Sequence, residues 1–105
     1  MNRNAMMLVR SDLLDRIDAL ASQSSHLKLA QLCEQVDAIR HIARVYGLQP
    51  VEQLASTLES ALAFDGHGAM ILSYLDLIRD AVGCEVIGPH VASAYLGAMS
   101  LRMGA

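Results

Sequence analysis

The chain predicts an all-α protein, an antiparallel up-and-down helical bundle with a four-helix core plus one additional helix. Three observations carry this expectation. Apolar residues step by threes and fours, and no run alternates with period two. Hydrophobic residues are 53% of the chain, yet aromatics are 4% and Trp is absent, so Ala, Leu, Ile, Val and Met must fill the core, a mix that favours helices. The breaks between periodic segments are short, and short connections favour antiparallel neighbours. With 105 residues the chain is one domain's worth. Residues 1–10 are expected as a flexible N-terminus and residues 11–105 as the bundle.

Ser11 suits the cap of a first helix running to Gln23, with Leu13, Leu14, Ile17 and Leu20 on one face. Ser24 or Ser25 suits the cap of a second. In that helix Leu29, Leu32, Val36, Ile39, Ala43 and Tyr46 form a continuous apolar seam. Gly47 fits the left-handed residue that ends it. Pro50 suits the first turn of a third helix, with Val51, Leu54, Leu58 and Leu62 inward. The run Asp65, Gly66, His67, Gly68 breaks that helix. A fourth is expected over 69–82, stopped by Gly83, and Gly88-Pro89 opens a fifth reaching about Met103.

The fifth segment is apolar on most of its surface. Val91, Ala94, Tyr95, Ala98 and Leu101 make one stripe; Ala92, Leu96, Met99 and Met103 make a second. One stripe can face the core, and the other needs cover. A homodimer supplies it, with Ala92, Leu96, Met99 and Met103 as the expected interface.

Composition narrows the function classes. Net charge is −3 and no basic stripe exists, so nucleic acid is not an expected partner. Cys33 and Cys84 form no Cys-x-x-Cys pair, which fits reduced thiols in a cytosol. Met6 to Val9 is too short for a signal-peptide core. The uncharged run from Val86 to Leu101 falls short of the roughly 20 residues a membrane span needs. A soluble cytoplasmic protein with no membrane partner is the expectation.

Chemistry-bearing residues gather on the second helix. With the apolar seam inward, His41 points away from the core, Asp37 and Arg44 flank it, and Arg40 lies nearer the boundary. Asp37 and His41, four apart, are within reach of each other. A solvated helix face is the plain reading of such a cluster. Asp37 and His41 supply only two ligands, and His26, His67 and His90 lack ligand spacing, so no metal or cofactor is expected. Paired arginines beside an imidazole also suit phosphoryl oxygens, because the guanidinium fork matches them.

The segment 37–62 resembles the histidine phosphotransfer (Hpt) domains of two-component signalling. In the gapless register Ile39 matches that family's aliphatic residue, Arg40 its Lys, and Tyr46-Gly47 its second glycine with the residue before it. Val51, Leu54 and Leu58-Glu59 match the following helix. Asp37 then stands where the family carries its phosphorylated His, and His41 stands where it has Gly. The resemblance therefore implies a degenerate member, Hpt-like in fold and lacking the phosphorylatable His. Such a protein would bind a response-regulator receiver domain or a histidine kinase without catalysing transfer. Asp37, Arg40, His41 and Arg44 would form the partner-binding face, with the two arginines as anion contacts. A second register makes His41 the catalytic nucleophile and Arg44 its phosphoryl contact, at the cost of a loop one helical turn shorter. A homodimeric helical scaffold unrelated to signalling is the third reading.

Overall fold

The computed structural model describes residues 3–83. Over that span the helical periodicity is realised as α1 (Arg3–Gln23), α2 (Leu29–Val45), α3 (Gln49–Asp65) and α4 (Ile71–Gly83), with a 3-10 turn at Gly66–Gly68. No strand occurs among the described residues. Each helix packs on the next in the chain, and α1 also packs on α4, so the four close into a ring around one core.

That core is aliphatic. Leu13, Ile17 and Leu20 come from α1; Leu32, Val36, Ile39 and Ala43 from α2; Val51, Leu54, Leu58 and Leu62 from α3. From α4 come Ile71, Tyr74, Leu75, Leu77, Ile78, Ala81 and Val82. The three-and-four spacing of each set is the reason one face of each helix is dry. Complete burial of each Leu or Ile stabilises by about 1.5–3 kcal/mol relative to exposure. No polar or charged residue is buried among the described residues.

The turn between α2 and α3 follows from Gly47. Its φ is +72°, a left-handed conformation that side-chain-bearing residues resist. Gly47 N–H donates to the Arg44 carbonyl (3.3 Å) and Leu48 N–H to the Ala43 carbonyl (2.8 Å). This pair of bonds is a Schellman closure, and it satisfies carbonyls that the end of α2 would otherwise leave unpaired. Pro50 sits in the first turn of α3, where its missing N–H costs nothing. Gly66, with φ +55°, marks the end of α3.

Three expectations about helix starts are corrected. The first helix begins at Arg3 rather than after a cap at Ser11, so most of the 1–10 segment expected as a loose end is helical. Ser11 is an exposed residue inside α1, where a hydroxyl facing water costs the helix little. The second helix is capped at Lys28, not at Ser24 or Ser25. Lys28 is extended there, and its N–H donates to the Gln31 side-chain oxygen at 3.1 Å, which satisfies one of the N–H groups a helix start leaves over. The fourth helix, expected from residue 69, begins at Ile71 because Ala69 is extended.

Polar contacts tie the elements at their edges. Arg79 of α4 pairs with Asp18 of α1. His67 Nε2 lies 2.9 Å from the Leu27 carbonyl; a carbonyl only accepts, so this nitrogen carries the proton. That bond joins the 3-10 turn to the α1–α2 connection. The expected fifth helix, with the expected dimer-interface residues Ala92, Leu96, Met99 and Met103, and Cys84 lie outside the described residues. No helix among the described residues is long and apolar enough to cross a membrane.

Candidate functional site

The seam of α2 sets the site's orientation. Leu32, Val36, Ile39 and Ala43 are buried, so the opposite side of the same helix must face water. Asp37, His41 and Arg44 are exposed, and Arg40 lies at the boundary next to α3.

Arg40 organises this face. Its Nη2 donates to Asp37 Oδ1 at 2.7 Å. Its Nε donates to the same oxygen at 3.1 Å and to Glu59 Oε1 of α3, also at 3.1 Å. A single Nε proton is thus shared between two carboxylates from two helices. The Asp37 contact is local, three residues along α2; the Glu59 contact crosses the α2–α3 seam.

The two carboxylates respond oppositely. The hydrogen bonds from Arg40 hold the Asp37 carboxyl below its usual range, outweighing the desolvation that opposes them. Glu59 is held above its usual range, first because partial burial disfavours its charge and second because Asp37 is a like charge nearby. Arg40 pulls Glu59 the other way without prevailing. The Asp37 contact in turn raises Arg40 above its ordinary value. Two carboxylates and one guanidinium leave this knot with one net negative charge at neutral pH.

The structure therefore joins some of the expected residues and separates others. Asp37 pairs with Arg40, and the anticipated Asp37–His41 contact is not a hydrogen bond, although His41 stays close enough to favour the charged carboxylate. The guanidinium three residues on offers two donors to one oxygen, which an imidazole four residues on cannot match. His41 and Arg44 make no side-chain hydrogen bond or ion pair among the described residues. Glu59 is the participant that helical spacing on α2 did not reveal. Its signal lay in its position beside Leu58, one residue off the buried stripe of α3 and so at the seam's rim.

Among the described residues no three His, Cys, Asp or Glu side chains are arranged to hold a metal ion. What the face can do chemically is bind: it presents an exposed imidazole and an uncommitted guanidinium beside a neutralised arginine. No family model, curated protein or solved structure matches the chain.

Proposed function

We propose that this chain is an Hpt-like signalling module of the degenerate kind, docking on a response-regulator receiver domain or a histidine kinase through the exposed face of α2 without passing phosphate. The observation that carries the reading is the Asp37–Arg40–Glu59 knot. In the gapless register Asp37 holds the phosphoryl-accepting position and Arg40 the position of the family's Lys. Asp37 is a carboxylate already engaged by Arg40, so it is a poor nucleophile. Arg40 is tied to two carboxylates, so it serves as a positioning residue and the anion contact falls to Arg44. His41 adds an exposed polar rim. The five-residue connection from Ser24 to Lys28 and the three-residue connection from Tyr46 to Leu48 support an antiparallel up-and-down path, as the family's bundles have. A cytoplasmic location and a homodimer through Ala92, Leu96, Met99 and Met103 complete the reading.

The test uses a panel of purified receiver domains and histidine kinases, with radiolabelled phosphate on each donor. The expected result is saturable binding by calorimetry, weakened about tenfold by Arg44→Glu as one charge-assisted contact is lost. No label reaches this chain. Acid-labile label on the wild type but not on His41→Ala would overturn the docking-only reading and establish the His41 relay instead. Absence of binding across the panel would remove the signalling assignment. Sizing chromatography of the full chain tests the dimer, which a monomer at high concentration excludes.

A further inference from the structure

A cleft of about 820 Å³ opens at the end of the bundle where the α1–α2 connection meets the start of α4. It is remote from the knot: Lys28 at its rim and Arg40 are twelve residues apart, about 18 Å along α2. Its walls include His26, Leu27, Lys28, Met70, Leu72 and Ser73. Met70, just before α4, and Leu72, in its first turn, are apolar yet 47% and 60% exposed, whereas Ile71, Leu75, Leu77 and Ile78 are buried. The volume falls within the roughly 300–1,000 Å³ typical of small-molecule sites.

Charge sharpens the picture. Among the described residues, no acidic side chain lines this cleft. Lys28 does line it and has no ion-pair partner among the described residues, whereas Arg16, Arg40 and Arg79 are each matched to a carboxylate. An ammonium group left unmatched beside exposed aliphatic surface is complementary to a molecule with a negative head and an apolar body. His67, anchored by its bond to the Leu27 carbonyl, fixes the two loops that form the walls. The cleft lies at one end of the bundle, between the α1–α2 connection and the start of α4.

We propose that this cleft binds a small acidic amphiphile, its anionic head on Lys28 and its aliphatic body on Met70 and Leu72. The serine hydroxyls of the rim accept or donate hydrogen bonds around the head, and the ligand covers leucine and methionine surface that otherwise faces water.

Decanoate, kept below its micelle-forming concentration, is the probe. A titration of the full chain followed by amide NMR is expected to saturate, with shifts gathered at residues 24–28 and 69–73. Lys28→Gln weakens binding about tenfold, the scale of one charge-assisted contact. Leu72→Asp abolishes it; both replaced side chains are exposed, and an unchanged circular dichroism spectrum confirms that each variant folds. Decyl phosphate in place of decanoate decides which head is preferred, and saturable binding of either supports the proposal. Equal binding of decyltrimethylammonium would overturn it, because the same tail would then bind regardless of charge. Shifts located elsewhere, or no saturation with either anion, would overturn it as well.

Discussion

The α2–α3 and α1–α4 seams are built on the same plan, and their edges differ. Each buries aliphatic stripes, and an arginine–carboxylate pair crosses each. Across α2–α3 the partners Arg40 and Glu59 are 30% and 29% exposed; across α1–α4 Arg79 and Asp18 are 46% and 57% exposed. The first pair is partly withdrawn from water and carries a second carboxylate, Asp37. The second is an ordinary surface pair. Exposed pairs contribute little because water and salt screen them, so the lesson is that the same contact type becomes part of a three-group network at one seam and stays an exposed surface pair at the other.

The comparison breaks most completely if the shared core fails. Leu58→Ala removes a fully buried side chain of α3 and is expected to cost about 2–5 kcal/mol, read as a fall in the urea midpoint. Gly47→Ala touches the α2–α3 seam alone. An added Cβ meets nothing within 4 Å, so only the left-handed backbone resists it, at about 1 kcal/mol. Next come the arginines. Arg40→Met should lower the melting temperature more than Arg79→Met, because it leaves Asp37 and Glu59 facing each other without their cation. Arg79→Met should cost only a few tenths of a kcal/mol. Equal shifts would show that the two pairs do not differ as their burial implies.

The smallest effect is a pH dependence of opposite sign at the two carboxylates. Asp37 lies below its usual 3.8, so its stabilising contribution is present above that pH and is lost as pH falls through the lowered value. Glu59 lies above its usual 4.5, so its ionisation subtracts stability as pH rises from 4.5 through the raised value, and acidification restores it. Glu59→Gln should therefore match or exceed the wild-type melting temperature at neutral pH, with the gap closing below 4.5. Asp37→Asn should melt lower at neutral pH, with its gap closing as pH falls below 3.8. A Glu59→Gln variant that melts well below wild type at neutral pH would contradict this assignment of signs.

Much of the fold is legible from local pattern. Val51, Leu54, Leu58 and Leu62 are all buried as their spacing requires, and Gly47 adopts the left-handed turn its position at the end of α2 calls for. The start of α1 is harder to read. Met6, Met7, Leu8 and Val9 are apolar without a gap, so they show no face, and Ser11 imitates a cap while lying inside the helix. The site is legible only on one side. Helical phase places Asp37, His41 and Arg44 outward and Arg40 at the boundary, but the Arg40–Glu59 contact spans nineteen positions and depends on how α2 and α3 meet. Periodicity describes a helix alone and is silent about which rim residue of a neighbour it will touch.

Cys33 has a use of its own. Its thiol is half-covered on α2, packed against the core between Leu32 and Val36 at one edge of the bundle. With Cys84 replaced by Ser, a disulfide-exchange reagent would have one target, and the speed of its reaction would register how often that edge of α2 lifts away from its neighbours. The molecule thus carries a built-in stopwatch for its own breathing, and a ligand or partner that quiets the motion would be detected without any added label.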